Sequence, residues 1–264
     1  MNGPALLLTG TVAVVVVMTV LWLLGIRQRN FSYVDIGWSA NFALLALVYG
    51  VLGGGDPARR ALGAALFALW SLRLAWHLGR RVLGEPEEGR YVELRRRWGA
   101  AGEAALNRRM YRFFMLQAAL NVFLSLPLLI ACQNPAPGIG ALEWLGVAIW
   151  AVALAGESLA DRQLARFKAD AANRGRVCEA GLWRYSRHPN YFFEWTIWVA
   201  YAVFALGSPP WGWAGLLMPV LMLHFLLNVT GVRPTEAQAL RSKGEAYREY
   251  QRRTSAFVPL PRRH

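Results

Sequence analysis

Residues 5–26 read ALLLTGTVAVVVVMTVLWLLGI, an apolar run without a single charged side chain. An α-helix rises about 1.5 Å per residue, so a run of this length can cross the roughly 30 Å hydrocarbon core of a bilayer. The run lacks the basic start of a signal peptide and is longer than the apolar part of one. We therefore interpret it as a retained transmembrane helix.

Comparable apolar runs recur along the whole chain. Hydrophobic residues make up 55% of the 264 positions and charged residues only 17%, which is too apolar for an ordinary soluble domain. The segments predicted to cross the membrane are 5–26, 34–53, 61–79, 112–132, 140–158, 190–207 and 211–230. These seven segments predict an all-α integral membrane protein that forms a single helical domain over residues 1–264.

The basic residues fall on one side of the predicted segments. Two follow the first segment, nine lie between the third and fourth, seven lie between the fifth and sixth, and eight follow the seventh. The opposite side holds only Arg59 and Arg60. Because cytoplasmic loops carry the excess of Lys and Arg, this distribution predicts an N-terminus outside and a C-terminus in the cytoplasm.

The net charge of +13 restricts the classes of partner. Topology and contact with anionic membrane lipid account for much of this charge. Binding of nucleic acid would need a basic face on a soluble fold, which this chain lacks, so no nucleic-acid partner is predicted. The absence of an HExxH motif and of paired CxxC motifs argues against a catalytic metal site.

Several polar side chains lie at predicted membrane depth, where they are default candidates for function because their burial is unfavourable. The main candidates are Asp35, His77, Asp161 and Glu194. Each has a structural alternative as well. Asp35 can form a salt bridge, for example with Arg73, and His77 can be an ordinary interfacial histidine.

The stretch ADRQLARFKADAANRGRVCEAGLWRYSRHPNY, residues 160–191, contains seven basic residues. Glycine-rich nucleotide-binding motifs are absent from the sequence, so recognition of phosphates would depend on Arg and Lys side chains. An acidic residue can bind ribose hydroxyls, and an asparagine can bond a carboxamide. A basic loop beside a membrane can also face lipid headgroups, so the residues alone leave both interpretations open.

Residues 181–195, GLWRYSRHPNYFFEW, resemble a signature of the steroid 5α-reductase and sterol reductase superfamily, which isoprenylcysteine carboxyl methyltransferases share in part. The tail GEAYREYQRRTSAFVP, residues 244–259, is similar to the closing pattern of the same superfamily. Three stretches in the front half resemble the bacterial branch of steroid 5α-reductase-like proteins: SYVDIGW at 32–38, SLRLAWHLGRR at 71–81 and GRYVELRRRWG at 89–99.

The resemblance extends over about residues 30–260 and implies a multi-pass protein of the bacterial inner membrane. It implies NADPH as cofactor, in a site that faces the cytoplasm, with a substrate half over about 1–110 and a cofactor half over about 111–264. The residues that match cofactor-binding positions are Asp161, Lys168, Arg176, Arg187, Asn190, Tyr191, Glu194, Glu236 and Tyr247. Among them, Lys168 and Arg176 match positions near the phosphates, and Asp161 matches a position near the ribose. Asn190 matches the contact to the nicotinamide.

The catalytic part of the resemblance centres on Asp35. Animal 5α-reductases use a Glu in the second helix and a Tyr in the third to hold the 3-oxo group of the steroid, and Asp35 takes the Glu position. The Tyr position falls close to His77, and Tyr33 is a further candidate for the phenol. The resemblance implies reduction of the carbon–carbon double bond of a lipophilic enone, with a 3-oxo-Δ4-steroid as the expected substrate and another polycyclic or isoprenoid enone as the open alternative.

Two other classes of function stay open. A membrane methyltransferase that uses S-adenosylmethionine shares the C-terminal signature, although that cofactor has no phosphates to occupy the basic loop. A non-catalytic lipid-binding or scaffold protein predicts that Asp35 and His77 point away from any cavity, and that Asn190 and Glu194 only cap a helix. The expected partners are a lipophilic small molecule and membrane lipid, with no obligatory protein partner indicated.

Overall fold

The structure of the chain, a computed structural model, describes residues 1–262. The α-helices in this range are α1 Gly3–Gln28, α2 Tyr33–Leu52, α3 Pro57–Val82, α4 Gly89–Gly99, α5 Glu103–Leu124, α6 Leu126–Gln133, α7 Ala141–Ala169, α8 Pro189–Leu206, α9 Leu217–His224, α10 Val232–Lys243 and α11 Glu245–Arg253. Short 3-10 helices lie at Ala171–Asn173, Gly181–Arg184 and Trp211–Leu216, and a π-helical segment covers Phe225–Val229. The predicted all-α fold is confirmed.

Six helical stretches of the described chain are long and apolar enough to cross a membrane. They are Gly3–Gln28, Tyr33–Leu52, Pro57–Val82, Glu103–Gln133, Ala141–Ala169 and Trp211–Lys243. The prediction of an integral, multi-pass membrane protein is thereby confirmed, and six of the seven predicted segments correspond to these stretches. The remaining segment, 190–207, forms helix α8. Its first two turns contain Pro189, Asn190 and Glu194, which lower its mean hydropathy, and it is not among the six.

The first of two compact units contains Met1–Ile139 and Ser208–Gly212. In this unit α2 packs along α3, and α1 packs against α2 and α5. The helix is interrupted at Ser125, between α5 and α6, because Pro127 has no backbone N–H to donate the hydrogen bond that would continue α5. Helix α4 lies outside the set of membrane-crossing helices and packs against α5.

Helix α1 illustrates how this unit is packed. Its buried face repeats every four residues through Leu6, Gly10, Val14 and Met18. Gly10 allows α2 to approach closely, because a Cβ atom there would lie only 2.8 Å from Cδ2 of Leu45. The opposite face of α1 exposes aliphatic side chains, which is the arrangement expected of a helix that faces lipid.

The two arginines outside the basic side of the chain have structural roles. Arg59 is 3% exposed, and its guanidinium donates to three backbone carbonyls of the loop 134–138. Arg60 donates to the carbonyl of Gly53 at 2.6 Å and to the last turn of α2. A backbone carbonyl that is shielded from water needs a hydrogen-bond donor, and these two arginines provide one. Their position on the less basic side of the chain is therefore explained by loop structure.

The second compact unit contains Gly140–Gly207 and the described chain from Trp213 onward. Helices α7 and α8 pack along each other. Gly146 marks a close approach, because a Cβ atom there would lie 2.9 Å from the backbone nitrogen of Phe204 and 3.0 Å from the carbonyl oxygen of Ala200. Helix α8 also packs against α9, and α10 contacts both α11 and the π-helical segment.

The orientation of the termini stays a prediction, and it depends on whether α8 crosses the membrane. Seven crossings place the two termini on opposite sides, whereas six place them on the same side. The eight basic residues after the last segment favour a cytoplasmic tail, and an N-terminus outside then requires α8 to cross.

We expect a green fluorescent protein fused after the tail to fluoresce in bacterial cells, and alkaline phosphatase at the same place to be inactive. The loop 134–138 provides the matched control, because it is predicted outside with either number of crossings and should activate the phosphatase. An active phosphatase at both places would show that α8 does not cross.

Candidate functional site

In the first unit, the turn between α1 and α2 is fastened to the segment that precedes α4. The amide of Asn30 donates to the carbonyl of Glu85 at 3.2 Å, and the backbone nitrogen of Phe31 donates to Glu87 at 2.7 Å. The backbone nitrogen of Glu88 in turn donates to the hydroxyl of Ser32 at 2.9 Å. These bonds between positions more than 50 residues apart fix the start of α4 beside the start of α2.

Asp35 lies in the first turn of α2 and receives two side chains from α4. Arg90 forms an ion pair with its carboxylate, and the hydroxyl of Tyr91 donates to it at 2.7 Å. The guanidinium of Arg90 also lies over the ring of Tyr91, 4.8 Å from its centre. The Asp35 side chain is 16% exposed and Tyr91 is buried, so this acid–phenol pair lies at the edge of the packed core.

The phenol of Tyr91 is held in its neutral form. Burial and the negative charge of Asp35 both raise the pKa of Tyr91 well above its usual value. The hydroxyl therefore keeps its proton at physiological pH and remains a hydrogen-bond donor. A buried, neutral phenol with a fixed orientation can donate to a carbonyl oxygen that develops negative charge.

The other two residues predicted for catalysis are placed differently. The hydroxyl of Tyr33 donates to the side chain of Gln28, in an exposed position at the end of α1. His77 is half-buried in α3. The sequence does not single out Tyr91, although this residue lies within the stretch GRYVELRRRWG that carries part of the family resemblance. Its nearness to Asp35 arises from tertiary contacts that no local pattern encodes.

In the second unit, the predicted cofactor residues lie in and after α7, at the start of α8, and in α10 and α11. Asp161 is half-buried in α7, and Lys168 is exposed in the last turn of the same helix. Arg176 is exposed in the loop after the 3-10 turn Ala171–Asn173. The exposed side chains present two cations to solvent, as a site for anionic groups requires.

The first two turns of α8 contain Asn190 and Glu194, which share a helix face because they are four residues apart. The side-chain oxygen Oδ1 of Asn190 is buried and has no hydrogen-bond partner among residues 1–262. Buried polar atoms almost always have a partner, so an orphan oxygen indicates a place for an external donor. The hydroxyl of the adjacent Tyr191 lies 3.3 Å from that of Thr235, and its ring stacks on His188.

Arg187, which lies just before α8, forms an ion pair with Glu236 of α10. The guanidinium donates to the carboxylate at 2.6 Å and also to the backbone carbonyls of Gln251 and Thr254. His188 lies 3.3 Å from the same carboxylate, and the side-chain amide of Gln251 donates to it at 2.8 Å. The side chains of Arg187 and Glu236 are only 10% and 15% exposed, so these predicted cofactor residues are engaged within the protein.

Tyr247 joins the same cluster from α11. It is buried and lies close enough to Arg187 and Glu236 to feel the charge of both. Burial and the charge of Glu236 raise the pKa of Tyr247, so its hydroxyl stays protonated. Arg187, Glu236 and Tyr247 are thus brought together, as the sequence-based assignment of one site requires.

The tail is attached to the segment before α8 by backbone bonds as well. The backbone nitrogen of Arg187 donates to the carbonyl of Ser255 at 2.8 Å, and that of Leu260 donates to the carbonyl of Tyr185 at 2.9 Å. The hydroxyl of Ser186 donates to the carbonyl of Phe257 at 2.7 Å. The stretches 181–195 and 244–259 of the C-terminal half are therefore bound to each other.

Comparison with known proteins gives the family. A family model described as "Protein of unknown function (DUF1295)" matches residues 21–254. The chain belongs to this family. It is similar to an uncharacterized protein of Schizosaccharomyces pombe, with 28% identity over an alignment that covers 91% of the chain and 76% of the relative. No solved structure matches the chain.

Replacing Glu236 with Ala should loosen the junction between the tail and α8. The change leaves Arg187 without its carboxylate, and loss of one partner of a buried ion pair costs about 3 kcal/mol. Hydrogen exchange at the backbone amides of Arg187 and Leu260 should become much faster. Glu245→Ala is the matched control, since that side chain is 65% exposed and makes only surface ion pairs. Equal exchange in both variants would contradict the structural role of Glu236.

Proposed function

We propose that the protein uses NADPH to reduce the carbon–carbon double bond of a lipophilic enone, with a 3-oxo-Δ4-steroid as the expected substrate. The observation that carries this proposal is the hydrogen bond from the Tyr91 hydroxyl to Asp35 at the start of a membrane-spanning helix. Further support comes from the family, which is associated with steroid 5α-reductase-like proteins.

The reaction needs a hydride donor, a hydrogen-bond donor and a proton. When bound, NADPH supplies the hydride that adds to the β-carbon of the enone. The carbonyl oxygen gains negative charge as this bond forms, and a proton from solvent completes the saturated ketone at the α-carbon. The task of the protein is to hold the enone and to stabilise the charge on its oxygen.

Tyr91 is suited to stabilise this charge. Its neutral hydroxyl is a donor, and its present acceptor is the Asp35 carboxylate. An enone oxygen is a second acceptor for the same hydroxyl proton. Arg90 balances the charge of Asp35, so that the phenol can turn to the substrate without leaving an isolated buried anion. Tyr91 thereby takes the role for which the sequence offered Tyr33.

The residues of the second unit fit the chemical groups of NADPH. The orphan oxygen of Asn190 is an acceptor that matches the amide nitrogen of a nicotinamide carboxamide. Lys168 and Arg176 are exposed cations suited to phosphates, and the Asp161 carboxylate suits ribose hydroxyls. Arg187 and Glu236 bind each other with Tyr247 beside them, so we assign the three to holding the first turn of α8 in place.

The compartment limits the class of substrate. Helices α1, α3 and α5, which are long and apolar enough to cross a membrane, pack against α2 in the first unit, and a substrate that partitions into lipid can reach such a site from the bilayer. A flat polycyclic enone has one polar oxygen, which matches one hydroxyl donor. We place the cofactor residues on the cytoplasmic side, where the predicted topology puts both basic loops.

Tyr91→Phe removes the hydroxyl and keeps the ring, so it tests the proposed donor. We expect kcat to fall about 100-fold, in line with the loss of one donor to a developing oxyanion, while NADPH binding stays unchanged. The measurement is oxidation of NADPH at 340 nm by detergent-purified protein with progesterone. Tyr185→Phe, at an exposed position, is the matched control. A loss in Tyr33→Phe with full activity in Tyr91→Phe would return the role to Tyr33.

Asn190→Ala removes the orphan oxygen and tests the cofactor site separately from the chemistry. We expect NADPH affinity to fall about tenfold, since a hydrogen bond of this kind contributes about 1 kcal/mol or somewhat more. Fluorescence of bound NADPH provides the measurement, and Asn228→Ala is the control. Binding of S-adenosylmethionine with no binding of NADPH would replace the reductase with the methyltransferase.

A further inference from the structure

A cavity of about 410 Å³ opens on the surface of the first unit beside α4 and α5. Its lining residues are Trp98, Arg109, Arg112, Phe113 and Leu116. Trp98 is near the end of α4, and the other four lie on α5, which continues into a membrane-crossing stretch. The cavity is therefore located where the chain passes from a basic segment into an apolar one.

The four lining residues of α5 form one stripe along the helix. Positions 109, 112, 113 and 116 follow the spacing that places side chains on one helix face. The stripe changes from two arginines to Phe113 and Leu116 within seven residues, a rise of about 10 Å. This distance is comparable to the step from the phosphate level of a bilayer to its acyl chains. Leu116 is 56% exposed, as a side chain in contact with lipid would be.

The charge of the cavity is positive and is not balanced by a lining carboxylate. Both arginines are exposed, and among residues 1–262 no acidic side chain lines this cavity. Nη1 of Arg109 donates to the carbonyl of Trp98 at 3.5 Å, which keeps this guanidinium beside the tryptophan of the lining. Glu93, an acidic residue of α4, is instead bound to Arg96.

Aromatic rings form one wall of the cavity. The rings of Trp98 and Phe113 meet edge to face with centres 6.2 Å apart, and the ring of Tyr91 also meets that of Phe113 edge to face, at 6.4 Å. Tryptophan is favoured at the level of lipid headgroups, because its ring is apolar and its N–H is polar. The cavity thus combines two guanidinium groups, an interfacial tryptophan and an apolar floor.

We propose that this cavity binds an anionic phospholipid, with the phosphate at Arg109 and Arg112 and an acyl chain along Phe113 and Leu116. Arginine binds phosphate through paired N–H donors, which accounts for the first half of the site. A free phosphate ion would leave the apolar floor uncovered, whereas a phospholipid covers both parts. The bound lipid contacts Trp98 and so braces the helix that carries Arg90 and Tyr91.

Native mass spectrometry of the detergent-purified full chain tests the site directly. The variant R109Q/R112Q should bind phosphatidylglycerol about 30-fold more weakly than the unchanged protein, since each of the two basic residues near a phosphate level contributes about 1 kcal/mol. The matched control is R97Q/R108Q, which removes two exposed arginines outside the cavity. The control should bind phosphatidylglycerol within twofold of the unchanged protein.

Two further arms distinguish the source of the phosphate. Phosphatidylcholine, which has no net charge, should bind weakly and equally to all three proteins. Inorganic phosphate at millimolar concentration should not displace phosphatidylglycerol. An equal loss in both double variants, full binding in R109Q/R112Q, or displacement by inorganic phosphate would each overturn the proposal.

Discussion

The hydrocarbon core of a bilayer offers no hydrogen-bond partner, and this constraint determines where polar chemistry can occur in the protein. Backbone groups within the membrane are satisfied inside helices, which accounts for the all-helical fold. Side chains that carry charge collect at the helix ends and in the segments between them. Arg59 and Arg60 serve loop carbonyls, and Asp35 meets its partners in the first turn of α2.

Each compact unit contains an arginine, a carboxylate and a tyrosine joined across a long stretch of sequence. In the first unit Arg90 and Tyr91 meet Asp35, which lies 55 residues before Arg90. In the second, Arg187 meets Glu236 at a separation of 49 residues, and Tyr247 completes the group. Such pairs are favourable only when both charges are matched and hydrogen-bonded. They therefore fix the tertiary arrangement of the segments that carry them.

The membrane-crossing helices could be predicted from the sequence because each depends on a local property, the length of an apolar run. The helix boundaries were less predictable, since a polar last turn, such as the one with Arg80 and Arg81 in α3, extends a helix beyond its apolar part. The segment 190–207 shows the limit of this reasoning. Its second half is apolar and predicts a membrane-crossing helix. Its first two turns contain Asn190 and Glu194, and these polar residues lower the mean hydropathy of the helix as a whole.

The site was predictable to the extent that its residues lie in recognisable motifs. Asp35 was predicted as a polar residue beside an apolar run, and Asn190 was predicted through the resemblance of residues 181–195. Tyr91 was missed, because nothing near GRYVELRRRWG indicates that the segment before it bonds to the turn at residues 30–32. The hydrogen bonds from Arg187 to backbone carbonyls of the protein were also unpredictable. Their acceptors, Gln251 and Thr254, lie more than 60 residues later and come near only in the folded chain.

The contrast between Asn190 and its neighbours bears on what the second unit binds. Arg187, His188 and Tyr191 all have partners in the chain, whereas Oδ1 of Asn190 has none within the described residues. Rotating the Asn190 amide by half a turn would exchange its oxygen and nitrogen and would demand an acceptor in place of a donor. A carboxamide offers both groups, so it satisfies either orientation of the side chain. A ligand with only carboxylate or phosphate groups satisfies one orientation alone, and this asymmetry favours a carboxamide-bearing ligand at the first turn of α8.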